Sequence, residues 1–256
     1  MKVTLTRLVL LLGAGLLAAR WLGEAAEVRG KAVLRGPRPL EIVVSLTGFP
    51  EVAKAYPHLV GKLTTRHYVV GQDGGLANVF VYVKEGLQGR SFPVLTNTPV
   101  LDQTNAGFYP YVMGVMTNQT FLIRNSEPYM DDPIATPKTN PEFNIAQPLT
   151  GMVARQKFEQ PEVLIRIKCG IHPWEFAYIG VVEHPFFTVT DTDGRFSLPK
   201  GLPAGSYELE AVHPKAGRQT QTVTLAEGES KTVEFVFEAK PLRTSPATSP
   251  PPPAGP

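Results

Sequence analysis

The sequence predicts an all-β protein built from two β-sandwich modules behind an N-terminal leader. Three observations carry this. Short apolar runs alternate with polar residues at a period of two. The 25 prolines and 23 glycines cut the 256-residue chain into pieces too short for long helices. Turn-forming residues recur between those pieces throughout the second half. The chain is long enough to bury a substantial core in one or two domains. Its charge is nearly balanced, with 25 Lys plus Arg against 23 Asp plus Glu. A net charge of +2 and the lack of a basic stripe argue against nucleic acid as a partner.

The leader spans residues 1–25. Lys2 and Arg7 precede an apolar, small-residue run from Leu8 to Ala19. Arg20 interrupts that run, which makes it short for a membrane span. Gly23 and Ala25 suit a signal peptidase, so cleavage after Ala25 is expected. The alternative is an uncleaved anchor, because Trp21 and Leu22 prolong the apolar stretch. Either way the body of the protein is expected to be periplasmic or secreted, touching a membrane only through that segment.

The elements follow in order. Val28, Gly30, Ala32 and Leu34 alternate with polar neighbours as a first strand, ended by Gly36-Pro37. Leu40, Ile42, Val44 and Leu46 predict a second strand, and Pro50 to Ala55 a short helix. Ala77 to Val83 is continuously apolar, as in a strand covered on both faces. Residues 84–100 read as loop, and Phe121 to Asn125 as strand. Ser126 to Gln160 is long and proline-rich, yet Tyr129, Phe143 and Phe158 argue that it is ordered. Val163, Ile165, Ile167 and Cys169 then place the lone cysteine on the core side of a strand, at its end. Phe176 to Val182 is the next strand. Phe186–Thr190 and Arg195–Leu198 flank Asp193-Gly194, a two-residue hairpin signal. Tyr207, Leu209 and Ala211, then Val223 and Leu225, then Val233, Phe235 and Phe237 predict a closing meander. From Pro241 onward, seven of sixteen residues are proline, which predicts a disordered tail.

Only Cys169-Gly170-Ile171-His172-Pro173-Trp174-Glu175 has metal-like chemistry. A strand that ends at a thiolate and turns at once lets the next imidazole face the same point. Cysteine with histidine is a donor pair that copper or zinc accepts. Glu175, in the same loop, and Asp131, in the long loop, are weaker candidate oxygen donors. The competing reading is a core cysteine beside an unrelated histidine. Asp191-Thr192-Asp193-Gly194 lacks the remaining oxygens of a calcium loop and reads as a turn. Trp174 and Tyr178 could form a carbohydrate-stacking pair, although packing is the commoner role of such aromatics. His58, His67, His184 and His213 show no ligand spacing. A Cys169–His172 hydrolase lacks an orienting third residue and an oxyanion motif, so no catalytic residue is assigned.

Several stretches together resemble the cupredoxins, in particular plastocyanin-like modules of bacterial envelope proteins. They are Leu101-Asp102-Gln103, Phe108-Tyr109-Pro110, Arg124-Asn125-Ser126-Glu127-Pro128, Phe143-Asn144 and the run from Lys168 to Gly180. A second resemblance is to the transthyretin-like carboxypeptidase regulatory-like domain. It rests on Thr190-Asp191-Thr192-Asp193-Gly194-Arg195-Phe196 and Leu202-Pro203-Ala204-Gly205-Ser206-Tyr207. Val28 to Val33 and Ala77 to Val81 look like first strands of the same kind of sandwich. The implied organisation is a leader (1–25), N-terminal strands (27–99), a cupredoxin-like Greek-key module (100–184), a regulatory-like sandwich (185–239) and the tail (240–256). The N-terminal strands could join either module.

The resemblance implies a type 1 copper site, with two histidines, a cysteine and a methionine as ligands. This chain departs from that set. Asp131 falls where the first histidine is expected, and Glu175 where the methionine is expected, leaving Cys169 and His172. Ala106 and Tyr111 also stand where relatives often carry a cysteine and a histidine. Hard oxygen donors favour Cu(II) over Cu(I), or suit zinc. The expectation is therefore a non-catalytic exported scaffold, metal-free or weakly metal-binding. It would contact carbohydrate or a protein partner at the cell envelope. The alternative is a module binding one copper or zinc ion, for electron transfer or metal handling.

Overall fold

The computed structural model describes residues 26–240. The expected leader and the Pro-rich tail from Pro241 lie outside the described residues. Strand β1 (Glu27–Arg35) comes first. A long loop then carries helix α1 (Pro50–Ala55) and a 3-10 turn (Pro57–Leu59) before β2 (Phe80–Glu85). Next come β3 (Val100–Gln103), β4 (Phe108–Tyr109), β5 (Val112–Met116) and β6 (Phe121–Asn125). They are followed by β7 (Pro133–Ala135), β8 (Phe143–Asn144), β9 (Val153–Gln156), β10 (Glu162–Cys169) and β11 (Phe176–Val182). The last are β12 (Phe187–Val189), β13 (Arg195–Ser197), β14 (Gly205–His213), β15 (Gly217–Leu225) and β16 (Ser230–Glu238).

These strands form four sheets that stack as two sandwiches. The inner sandwich pairs the sheet β5-β11-β10-β7-β8 with the sheet β4-β3-β6-β9. Its core holds Leu101, Phe108, Phe121, Ile123, Phe158, Ile167 and Ile179, all buried. The outer sandwich pairs β13-β1-β16 with β12-β2-β14-β15. Here β1 runs parallel to β16 along its whole length, from Glu27 opposite Ser230 to Arg35 opposite Glu238. β2 lies between β12 and β14. Both N-terminal strands therefore hydrogen-bond with C-terminal strands, and the inner sandwich is inserted between them.

The sandwiches meet through a third apolar cluster that includes Phe80, Tyr82, Val112, Phe176, Val182 and Val212. Gly114 and Gly180 make this contact close. A Cβ on either would come within 2.5 Å of the Phe187 or Phe80 ring. Those rings lie directly on the backbone of β5 and β11, so any side chain there would push the sandwiches apart.

Four expectations change. Residues 40–46 are not a strand: only an isolated bridge joins Val43 to Thr64, and Leu40 is 89% exposed. The carboxylate of Glu41 instead accepts the backbone N–H groups of His67 and Tyr68, at 2.9 and 2.6 Å. A side chain thus takes over donors that a ladder would have paired. The Asp193-Gly194 turn forms, with the Gly194 N–H on the Asp191 carbonyl at 3.0 Å. Its flanking strands enter different sheets, however, β12 beside β2 and β13 beside β1, so it is a corner and not a hairpin. The closing meander is only a β14–β15 hairpin, because β16 crosses to pair with β1. The long segment after Asn125 is ordered, as its aromatics suggested, but through the short strands β7, β8 and β9.

Candidate metal centre

Cys169 closes β10, where it sits opposite Pro133 of β7. The alternation of that strand buries Ile165, Ile167 and Cys169 together. A tight turn follows. The Cys169 N–H bonds the Glu175 carbonyl at 3.0 Å, and the Glu175 N–H bonds the His172 carbonyl at 3.0 Å. The backbone N–H groups of Ile171 and His172 both donate to the cysteine sulfur, at 3.4 Å each. Gly170 lets the Asp132 side chain lie close, since a Cβ would come within 2.5 Å of its carboxylate and make it turn aside. The turn therefore aims Cys169, His172 and Glu175 at one point.

Asp131 reaches the same point from the start of β7. Its backbone makes an antiparallel bridge to Gln147. Asn125 braces this loop, donating to the Tyr129 and Gln147 carbonyls at 2.9 Å each. The ligand atoms of Asp131, Cys169, His172 and Glu175 lie within 4.8 Å of one another, and all four residues are buried. Asp131 Oδ1 is 2.8 Å from His172 Nδ1 and 3.5 Å from the sulfur. The sulfur is 3.6 Å from His172 Nδ1. The three candidates on the turn and Asp131 from the long loop thus converge.

The electrostatics are set by two buried carboxyls crowded against a thiol and an imidazole. Burial raises the Glu175 carboxyl well above its usual range, and the neighbouring Asp131 charge raises it further. Burial alone would depress His172. The hydrogen bond to Asp131, together with Cys169 and Glu175, reverses that and lifts it to about 10. Asp131 Oδ2 and Glu175 Oε1 are buried with no hydrogen-bond partner. A buried polar group left unpaired costs about 1–3 kcal/mol, and more when charged. Those oxygens lie beside a thiol and an imidazole, so the donor set has the character of a divalent-cation site. It does not fit a type 1 copper centre, which needs a second imidazole and a thioether.

Neighbours invisible to sequence reasoning complete the site. Gln103 Nε2 donates to Glu175 Oε2 at 3.1 Å. Glu127 is fully buried, and its carboxylate accepts the Ala106 N–H at 2.7 Å and the Tyr56 hydroxyl. A cap built from the loop around α1 covers the outer side, burying Leu46 and Val52 with Ala106 and Tyr129. Trp174 belongs to this cap. Its indole packs edge-on against Phe49 at 4.6 Å and donates to the Ala106 carbonyl at 3.1 Å. Tyr178 instead packs with Tyr111, so the two aromatics form no stacking pair for a sugar. His67 is buried against Phe176 and Tyr111 between the sandwiches and His213 against Tyr68 and Phe237 in the outer one, and neither joins the cluster. Asp191 Oδ1 accepts the backbone N–H groups of Asp193 and Arg195, as a turn residue does. A shared loop motif with Tyr56 or Glu51 could not have been found, because those residues meet the site only through folding.

Fold and site define the class: an all-β double sandwich with a buried Asp, Cys, His and Glu cluster at one end of the inner sandwich. No protein-family model matches the chain, and no curated protein matches it. The solved structures to which it is similar include cupredoxins. One is an amicyanin variant in its Cu(I) state, with 16% identity, 34% of this chain and 85% of that chain covered, and a TM-score of 0.30. Another is a purple cupredoxin from Nitrosopumilus maritimus, with 16% identity, 32% and 98% covered, and a TM-score of 0.28. A third is a copper-containing nitrite reductase from Thermus scotoductus, with 19% identity, 39% and 25% covered, and a TM-score of 0.30.

Proposed function

We propose that this protein is a non-catalytic metal-binding module that holds one divalent ion, Zn(II) or Cu(II), at Asp131, Cys169, His172 and Glu175. The observation that carries this reading is the pair of unpartnered buried oxygens, Asp131 Oδ2 and Glu175 Oε1, beside the Cys169 sulfur and His172 Nδ1. A bound cation would engage those oxygens together with the sulfur and the imidazole and turn four crowded groups into one satisfied cluster. The protein's own part is to orient the donors: the turn fixes Cys169 and His172, Gln103 fixes Glu175, and Asn125 fixes the Asp131 loop. The cap excludes water. Two carboxylates in place of an imidazole and a thioether favour holding an oxidised or redox-inert ion over shuttling electrons. A metal-free scaffold would leave those oxygens buried without a role. In an exported protein, such a site would serve metal handling at the envelope.

Titration of the purified protein with Zn(II), Cu(II) and Cu(I), repeated on Cys169→Ser, tests this. One equivalent of Zn(II) or Cu(II) should bind, with a thiolate-to-copper absorption band that vanishes in the variant. Lack of stoichiometric binding of every ion would overturn the reading.

A further inference from the structure

His172 presents two edges. Nδ1 faces Asp131, Cys169 and Glu175, while Nε2 is buried, makes no hydrogen bond within normal limits and points the other way. The group nearest that outer nitrogen on the cap is a carboxylate: Glu51 Oε1 lies 3.5 Å away. Glu51 comes from α1, an element of neither sandwich. It is delivered by cap packing, with Val52, the next residue, fully buried and Phe49, two residues earlier, against the Trp174 and His172 rings. The Glu51 side chain is itself 42% exposed, so it is not held there by a need for burial.

A histidine that binds a metal through one nitrogen commonly donates its other ring N–H to a carboxylate, which fixes the tautomer and makes the ligand more basic. We infer that Glu51 is the positioning residue for His172, holding the Nε2 proton so that Nδ1 is presented to the ion. The inference rests on the metal-binding reading above. The cap is then part of the metal site and not merely its cover. One short helix both closes the cavity and sets which nitrogen enters it. A contraction of a few tenths of an ångström brings the pair into hydrogen-bond range.

The test uses the full chain loaded with Cu(II) or Zn(II), as the parent, Glu51→Ala and Glu51→Gln, with Lys54→Ala as a control on the same helix. Affinity is measured by chelator competition. The outer imidazole nitrogen is read by pulsed electron paramagnetic resonance on the Cu(II) form, where its quadrupole coupling reports its hydrogen bond. Glu51→Ala should weaken binding about 10–100-fold and shift that coupling. Glu51→Gln, which keeps an acceptor oxygen, should fall between alanine and the parent, and Lys54→Ala should match the parent. Parent-like affinity and coupling in Glu51→Ala would overturn the inference while leaving the metal site intact. Weakened binding with an unshifted coupling would also overturn it, by showing that Glu51 acts only through cap stability. A parent that binds no metal would sink both this inference and the reading on which it rests.

Discussion

The two sandwiches bury polar side chains to different ends. In the outer one, Glu210 accepts the Tyr82 hydroxyl at 2.7 Å and lies 3.4 Å from Arg218. Thr190 donates to the Leu76 carbonyl at 2.8 Å and accepts the Val79 N–H at 3.0 Å. These groups are partnered and serve the fold; among the described residues, the outer sandwich leaves a single buried side-chain atom without a partner, His213 Nε2. In the inner one, Gln103 Oε1, Asp131 Oδ2 and Glu175 Oε1 lie buried without partners near Cys169. Even the histidines diverge: burial, reinforced by His67 and Lys215, holds His213 down to about 3, whereas anionic neighbours lift His172 to about 10. Polar burial that satisfies itself is architecture. Polar burial left open on one side, with the open atoms converging, is a receptacle.

The largest effect that could break this comparison is ligand-linked stability. Zn(II) at about 1,000 times its dissociation constant should raise the unfolding free energy by about 4 kcal/mol. Urea melts with and without the ion measure it, and the gain should vanish in Cys169→Ser. A gain that survives in the variant would place the ion elsewhere. Next comes a pair of carboxylate substitutions, compared by the same melts without metal. Glu210→Ala should cost about 1–3 kcal/mol, because it strands the Tyr82 hydroxyl. Glu175→Gln should leave metal-free stability nearly unchanged, since burial already favours the neutral carboxyl and the amide keeps an oxygen for the Gln103 donor. The reverse order would erase the distinction between the sandwiches.

A smaller effect appears in acid. The His213 Nδ1 accepts the N–H groups of Lys215 and Ala216, at 3.2 and 3.0 Å, so the folded state needs that ring neutral. His67 is likewise lowered, to about 4, by burial and by Lys215 and Arg166, against an opposing pull from Glu41. The unfolded chain takes up these protons near pH 6.5 and the folded chain only near 3–4. Stability should therefore decline as pH falls through that window. Asparagine can mimic the Nδ1 acceptor, so His213→Asn should flatten the decline in urea midpoints, and an unchanged slope would assign it to other groups. The smallest effect belongs to the surface. Lys84→Ala breaks its exposed pair with Glu208 and should leave the urea midpoint at that of the parent.

Much of this was legible from the residues wherever a local pattern carried the information. The alternation of Val163, Ile165, Ile167 and Cys169 gave both the strand and the inward-facing thiol, because a half-buried strand has only two faces. The Cys169–Glu175 spacing put two donors on one turn, and the likeness of the Asn125 stretch to a known pattern brought in Asp131. Alternation names a face but not a partner, which is why β16 was read beside β15 when it lies beside β1. It also misled at Leu40 to Leu46, where Glu41 satisfies the neighbouring backbone by itself. Gln103 and Glu127 stand in stretches that mark the fold but give them no role, and Glu51 stands in none. Each approaches the site from a separate element, and only the packing of the cap and the two sheets brings them in.

The pairing of β1 with β16 has a consequence for the order in which the molecule can be made. As the chain emerges from its N-terminus, β1 has no strand to pair with until β13 and then β16 have been made, well after the inner sandwich. The inner sandwich carries all of its own strands and can close early, pocket included, while the outer one stays ajar. Such a long-range closure is slow. Once made, it works as a clasp, fastening the first of the described strands to the last around a finished insert.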